Sequence, residues 1–171
     1  GVHDEVVVVN DGPSPLAPVL PIACTVLRTP PRSGPGVARN LAAQSSDADW
    51  LIFLDDDDAI EEDWLHAFRA LTSVPGIALA SCGYVTTERH IDPVVPHDLG
   101  PAFGNVTASH LAGTFAVRRS AFLHVGGFDE SLRSAEFTEL MLRLLPSIAA
   151  SNDGSSATSR ILITHTIRPR E

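Results

Sequence analysis

Four consecutive aspartates, Asp55 to Asp58, directly follow the apolar segment Trp50 to Leu54. Adjacent carboxylates repel one another, so such a run is costly unless a cation or hydrogen-bond donors offset the charge. Mg²⁺ and Mn²⁺ prefer carboxylate oxygens and keep coordination positions open for substrate phosphates. The alternative is a solvated acidic turn in which Asp58 caps a helix. The position after a buried-looking strand favours the cation site.

The elements that position this run are short apolar strands alternating with helices, which predicts an α/β domain with a mostly parallel sheet. We expect strands at 6–9, 22–27, 50–54, 77–85, 114–117 and 161–167, and helices at 35–44, after Asp58, at 120–124 and at 136–145. Asp58 is predicted to cap its helix, whose apolar face is formed by Ile60, Trp64, Leu65, Phe68 and Leu71. The polar segment 151–159 is predicted to be a flexible connection. Ligands of such sheets bind at the carboxyl ends of strands, where Asp11 and the aspartate run both lie.

Composition narrows the classes of function. The 171 residues suffice for one domain with a hydrophobic core, and 44% hydrophobic with 19% charged residues is typical of soluble globular proteins. A net charge of -9 disfavours nucleic-acid binding, whereas a divalent cation can join an acidic protein to a phosphate ligand. Two cysteines without paired spacing indicate neither a disulfide framework nor a zinc site. This use of cysteine leads us to expect a reducing, cytoplasmic setting. With no apolar run of about 20 residues, we expect no membrane span.

Four short segments occur in a distinctive order: Asp11-Gly12, Ala38-Arg39-Asn40, Phe53 to Asp58, and Gly126-Gly127-Phe128-Asp129-Glu130. Over roughly residues 5 to 145, this order resembles the family 2 glycosyltransferases of the GT-A fold. The resemblance implies one GT-A-like domain over residues 1–171, with a mostly parallel sheet flanked by helices. It also implies an inverting, hexosyltransferase-type enzyme that uses Mn²⁺ or Mg²⁺ and a nucleoside-diphosphate sugar, with a UDP-sugar as the first candidate. The acceptor is not indicated, and a homodimer is compatible with the sequence.

The resemblance assigns four residues to the nucleotide-sugar site. Asp11 would hydrogen-bond the base, Arg39 would line the nucleotide pocket, and Asp55 would face the ribose and the metal shell. Asp56 is grouped with them by its place in the run, although nothing gives it a role of its own. Each has an alternative: Asp11 closes an Asp-Gly turn, and Arg39 is a surface helix residue with a packed stem.

The resemblance also assigns metal ligands. Asp57, at the end of the Asp-x-Asp pattern, would ligate the cation that bridges the diphosphate. His165 is a second candidate, because a late histidine completes the metal shell in some related enzymes. The alternative for His165 is a structural or surface histidine.

The catalytic base departs from the family pattern. After Gly-Gly-Phe-Asp-Glu the family carries a Glu-Asp pair whose aspartate is the base, and the matching pair here is Glu136-Phe137. Phe137 accepts no proton, and its helical spacing with Leu140 and Leu144 predicts that it joins the core. Glu136 is therefore the candidate base. Its alternative role is a first-turn acid favoured by the helix dipole.

The chain also starts at what would be the family's second strand, which is expected to expose a sheet edge unless another element or chain covers it. Two other functions stay open. One is a non-catalytic relative that binds a nucleotide sugar, which the missing strand and Phe137 both favour. The other is a magnesium-dependent phosphotransferase or hydrolase, which explains neither Ala38-Arg39-Asn40 nor the Gly-Gly-Phe-Asp segment.

Overall fold

Strands and helices alternate along most of the chain. The computed structural model describes residues 4–15, 23–56, 58–60, 62–81, 85–86, 97–98, 107–108, 112–150, 155–158 and 166–167. The helices are α1 (Pro35–Ser45), α2 (Trp64–Thr72), α3 (Arg119–His124) and α4 (Glu136–Ala150). The strands are β1 (Val7–Asn10), β2 (Thr25–Arg28), β3 (Trp50–Ile52), β4 (Asp58–Ala59), β5 (Ile77–Ser81), β6 (Val85–Thr86), β7 (His97–Asp98), β8 (Thr107–Ala108), β9 (Phe115–Arg118), β10 (Ser155–Thr158) and β11 (Thr166–Ile167).

The main sheet has four strands in the order β10-β5-β9-β3. β10 runs parallel to β5, whereas β9 is antiparallel to both of its neighbours. Residues 115–117 of β9 are buried, as expected for a central strand. The α/β class predicted from the sequence is confirmed, and the sheet is mixed because β9 returns between β3 and β5.

β1 and β2 form a separate parallel pair, with Val7 opposite Thr25. In the described part of the chain, β1 pairs only with β2, and β3 pairs only with β9. One edge of each strand is therefore without a partner among the described residues, and the expected open edge stays a prediction. Val26 on β2 is 49% exposed.

The start of α2 differs from the prediction. Asp58 does not cap a helix, because it lies in β4 and pairs antiparallel with β11. α2 begins only at Trp64, and Ile60 is 45% exposed. Backbone pairing with a distant segment therefore overrides the local capping signal. The predicted burial of Trp64, Phe68 and Leu71 is confirmed.

The segment predicted to be a flexible connection after α4 is also different. Residues 155–158 form β10, which pairs in parallel with β5 at the edge of the main sheet. The prediction of a flexible segment was wrong there, because hydrogen bonding to the exposed edge of β5 stabilises a strand that its polar composition does not favour.

Five phenylalanines make an aromatic cluster inside the main hydrophobic core: Phe53, Phe115, Phe122, Phe128 and Phe137. Their ring centroids lie 5.1 to 6.3 Å apart in tilted or edge-to-face pairs, the arrangement that aromatic quadrupoles favour. The cluster joins the end of β3, strand β9, helix α3 and the start of α4. It therefore fixes the elements that carry the candidate site relative to one another.

Candidate functional site

The aspartate run lies on a tight turn at the end of β3. The Asp58 amide donates to the Asp55 carbonyl at 3.2 Å, and the Gly113 amide donates to the Phe53 carbonyl. The Asp55 side chain is 40% exposed, and Asp56 is exposed. Asp57 lies outside the described residues. Asp55 and Asp56 therefore present carboxylates to solvent at the carboxyl end of β3, which is an edge strand of the main sheet in the described residues.

Arg39 on α1 joins this turn to the start of α4. Its Nη2 donates to Asp55 Oδ1 at 2.6 Å, and its Nη1 donates to Glu136 Oε1 at 3.0 Å. The guanidinium carbon lies 4.4 Å from the Phe137 ring centroid and 5.5 Å from that of Phe128. The Arg39 side chain is only 11% exposed. The structure thus brings three predicted site residues together, although nothing in the sequence predicts that Arg39 bridges the other two.

A cavity of about 310 Å³ adjoins this bridge. It is lined by Arg39, Asp55, Ala135, Glu136, Phe137 and Thr138. Its volume lies at the lower end of the range of small-ligand pockets. Ala135 has a left-handed backbone conformation, with φ of 60°, immediately before Glu136. Non-glycine residues held in this region occur often at functional sites.

Phe137 lies in the core, as predicted. It is 5% exposed and makes edge-to-face contacts with Phe115 at 5.6 Å and Phe128 at 5.2 Å. Among the carboxylates of the first turn of α4, Glu136 lines the cavity, whereas Glu139 is ion-paired with Arg143. The hydrogen bond from Arg143 to Glu139 is the main reason that the pKa of Arg143 is raised. Glu136, which is itself paired with Arg39, is therefore the carboxylate of this turn that lines the cavity, and its role as the base stays a prediction.

Asp11 organises the loop before α1. Its Oδ1 accepts hydrogen bonds from the Thr29 hydroxyl at 2.6 Å and the Ser33 amide at 2.7 Å, and its Oδ2 accepts from the Gly34 amide at 2.9 Å. Arg133 donates to the Ser33 carbonyl on the other side of the loop. The nearby Asp-Gly turn is closed by another residue, because the Gly12 amide donates to Asn10 Oδ1 at 2.8 Å. Asp11 thus shapes the 29–34 loop, and base binding by Asp11 stays a prediction.

Because of these contacts, the ionised Asp11 carboxylate is expected to stabilise the fold near neutral pH and to lose this contribution at acidic pH. Partial desolvation raises the pKa of Asp11, but hydrogen bonds from Thr29, Gly34 and Ser33 and the charge of Arg133 outweigh it, so the net pKa lies below 3.8. A depressed carboxylate pKa stabilises the fold above the unfolded pKa, and this contribution is lost as pH falls through the folded pKa. We expect Asp11→Asn to lower the urea midpoint at pH 6 and the gap from the wild type to shrink below about pH 4.

The matched control for this prediction is Asp47→Asn, which removes an exposed carboxylate from the segment after α1. Urea unfolding followed by circular dichroism between pH 2 and pH 6 measures both variants. An Asp11→Asn gap that stays constant over this range would contradict the proposed role of the ionised carboxylate.

Asn40 couples α1 to the Gly-Gly-Phe-Asp-Glu segment. Its Nδ2 donates to the Phe128 carbonyl at 2.9 Å and to Glu130 Oε1 at 3.0 Å, and its Oδ1 accepts from the Phe128 amide at 2.8 Å. Asn40 is 6% exposed, so these bonds satisfy a buried amide. Two of the four sequence segments are therefore joined physically. Sequence reasoning missed this contact, because a buried asparagine has no pattern that identifies its distant partner.

The two glycines of that segment end α3. The Gly126 amide donates to the Leu123 carbonyl and the Gly127 amide to the Phe122 carbonyl, with φ of 85° and 73° at the glycines. This is the Schellman arrangement of a helix C-terminus. A Cβ on Gly127 would lie 2.5 Å from Asn40 Oδ1, whereas a Cβ on Gly126 would meet nothing within 4 Å. Gly127 is therefore required by packing as well as by backbone conformation.

The metal assignments are not tested by the described residues. No three His, Cys, Asp or Glu side chains are grouped there to hold a cation, and both Asp57 and His165 lie outside that part of the chain. The donors that the turn does offer are carboxylate oxygens, which fit Mg²⁺ or Mn²⁺. No helix within the described ranges is both long and apolar enough to cross a membrane.

Fold, site and sequence agree on one class. Residues 2–126 match glycosyl transferase family 2, and the chain belongs to this family. The match includes Asp11, Arg39 and the aspartate run, and it ends before Gly127 and Glu136. The family membership predicted from the sequence is confirmed.

Two bacterial relatives share about a third of their aligned residues with this chain. A pre-mycofactocin glycosyltransferase of Mycobacterium tuberculosis is 32% identical in an alignment of 132 residues, which covers 70% of this chain and 28% of the relative. A glycosyltransferase of Haemophilus influenzae described as uncharacterized is 30% identical over 130 residues, 71% of this chain and 44% of the relative. The chain thus spans less than half the length of either relative.

Solved structures show the fold. Staphylococcus aureus TarS 1-349 in complex with UDP-GlcNAc superposes with a TM-score of 0.68 at 19% identity, over 98% of this chain and 50% of that one. The mannosyltransferase PcManGT from Pyrobaculum calidifontis, in complex with GDP-Man and Mn²⁺, gives a TM-score of 0.63 at 18% identity, over 97% and 48% of the two chains. The predicted GT-A fold is confirmed.

Proposed function

We propose that this chain is the donor-binding domain of an inverting glycosyltransferase that moves a hexose from a nucleoside-diphosphate sugar, with UDP as the first candidate nucleotide, to an acceptor hydroxyl. The observation that carries the proposal is the cavity of about 310 Å³ with Asp55 from the aspartate turn and Glu136 from α4 in its lining. Asp55 lies on the side of the cavity that is expected to hold the donor. Glu136 is the only carboxylate among the remaining lining residues.

The aspartate turn is proposed to hold the donor. Asp55, with Asp56 beside it, would face the ribose and the metal shell, and Asp57 would ligate the cation. When bound, Mn²⁺ or Mg²⁺ supplies the positive charge that stabilises a departing nucleoside diphosphate. A second ligand from His165 has one supporting observation: β11, which begins one residue later, pairs with β4 at the end of the aspartate turn. That pairing brings the late part of the chain back to the turn.

Glu136 is proposed to accept the proton of the acceptor hydroxyl as it attacks the anomeric carbon. A single displacement of this kind inverts the anomeric centre. Glu136 Oε1 accepts from Arg39, and among the described residues Oε2 is the oxygen that remains to take the proton of the acceptor hydroxyl. Its side chain is 12% exposed, so the proton would be taken up away from bulk water.

A transfer assay tests the proposal. The full-length protein is incubated with UDP-glucose, UDP-GlcNAc or GDP-mannose, with Mn²⁺, and with a panel of acceptor alcohols and glycans. Release of the nucleoside diphosphate is measured with and without acceptor. We expect acceptor-dependent release with one donor and loss of release with EDTA. A folded protein that releases no nucleoside diphosphate from any donor would contradict the proposal.

A non-catalytic nucleotide-sugar-binding domain is the second candidate, and one observation favours it. By resemblance the family's base is the residue at position 137, and the phenylalanine there is buried in the aromatic cluster. Calorimetry separates the two candidates, because the second one binds UDP and Mn²⁺ without turnover.

A further inference from the structure

The guanidinium of Arg39 is occupied on its edge and its face. One terminal nitrogen bonds Asp55, the other bonds Glu136, and the plane stacks 4.4 Å from the Phe137 centroid. Only 11% of the side chain is exposed. We infer that Arg39 acts as a positioning residue, which holds Asp55 and Glu136 in place across the cavity and does not itself bind the nucleotide. The inference rests on the proposed function and changes the role that the family resemblance assigns to Arg39.

The positive charge of Arg39 offsets the repulsion between Asp55 and Glu136. Two carboxylates that line one small cavity repel each other, and burial strengthens the repulsion. A planar guanidinium offers parallel donors to two acceptors at once, whereas the ammonium of lysine is a compact point charge. The bridge therefore depends on the shape of arginine as well as on its charge.

The neighbours of Arg39 hold the bridge rigidly. Asn40, the next residue on α1, bonds both backbone groups of Phe128, and the Phe128 ring lies 5.5 Å from the guanidinium. Phe137, on the first turn of α4, supplies the face contact. The same aromatic cluster thus holds the middle of α1, through Asn40 and Phe128, and the start of α4, which carries Glu136. Because Arg39 is held in this way, it can fix the position of Asp55 on the donor side relative to that of Glu136 on the acceptor side.

Two double-mutant cycles test the inference. The first combines Arg39→Gln with Asp55→Asn and measures the Kd of UDP in saturating Mn²⁺ by calorimetry. The second combines Arg39→Gln with Glu136→Gln and measures kcat for transfer. Arg69→Gln is the control, because it breaks an exposed ion pair with Asp4, whose side chains are 51% and 39% exposed.

Arg39→Gln alone is expected to raise the Kd of UDP about tenfold and to lower kcat about 10²-fold. In the Asp55→Asn background, Arg39→Gln is expected to change the Kd of UDP less than about twofold. In the Glu136→Gln background, it is expected to change kcat less than about twofold. In each case the partner through which Arg39 acts is already lost. Arg39→Lys is expected to restore at most one of the two effects. Arg69→Gln is expected to change neither.

Multiplicative losses of UDP affinity would show that Arg39 contacts the nucleotide itself and would overturn the inference. So would full rescue by Arg39→Lys. If UDP binds and no sugar is transferred, the proposed function fails, and the affinity cycle alone decides the inference.

A third cycle needs no ligand and decides the inference if UDP does not bind. The shifts in urea midpoint for Arg39→Gln and Glu136→Gln are expected to be non-additive, since both changes remove a charge from the same ion pair. Additive shifts in urea midpoint would contradict the inference that Arg39 holds Glu136 in place.

Discussion

Glu136→Gln is expected to lower kcat for sugar transfer by about 10²–10⁴-fold, the range that a general base contributes. Glutamine has nearly the same shape and still accepts the hydrogen bond that Arg39 Nη1 makes to Glu136 Oε1. It cannot take up the proton of the acceptor hydroxyl. The Kd of UDP with Mn²⁺ is expected to stay within about twofold of the wild type, because the proposed donor contacts lie on the aspartate turn.

Glu139→Gln is the matched control for this prediction. It makes the same chemical change three residues later on α4, where the carboxylate is paired with Arg143 and does not line the cavity. We expect it to lower stability and to keep kcat within about threefold. Steady-state kinetics with the donor found in the transfer assay, together with calorimetry of UDP binding, measures both variants. Unchanged kcat in Glu136→Gln would show that Glu136 is not the base.

Gly127→Ala is expected to lower the free energy of unfolding by about 3 kcal/mol, and Gly126→Ala by about 1 kcal/mol. Both glycines have positive φ, so each substitution pays the backbone strain of a left-handed alanine. Only at position 127 does the new methyl group meet Asn40 Oδ1, at 2.5 Å. Asn40 is buried and bonded to both backbone groups of Phe128, so it cannot move aside without leaving polar groups unpaired.

The comparison between the two glycines isolates the contact with Asn40. Urea unfolding at neutral pH measures both variants, and the difference between them reports the close approach without the shared strain. Equal destabilisation would contradict that approach. Because Asn40 is next to Arg39, Gly127→Ala is also expected to lower kcat more than Gly126→Ala does.

The sequence predicts those features that have a local period or a local signature. Pro35 identifies the start of α1. The spacing of Phe137, Leu140 and Leu144 identifies α4 and its buried face. The structure confirms the two helices and the buried face. The buried Trp64, Phe68 and Leu71 follow from the same kind of spacing. Local patterns succeed here because packing follows the helical period.

The features that depend on distant partners escape this reasoning. Asp58 has a good capping pattern, and its pairing with β11 takes precedence. The serine-rich segment of β10 has no strand signature, yet the edge of β5 pairs with it. The site divides in the same way: Arg39, Asp55 and Glu136 are each identifiable from the resemblance, whereas the two-sided contact of Arg39 joins residues far apart in the chain. Asp57 and His165 stay predictions.

The left-handed alanine before α4 sets stability against precision at this site. Ala135 holds a φ of 60°, which costs of the order of 1 kcal/mol for a residue with a Cβ. Glycine would relieve that strain but would give the chain more freedom immediately before Glu136. Selection for a higher free energy of unfolding would therefore favour glycine at position 135. Selection for a high rate of sugar transfer would keep alanine there and tolerate the strain.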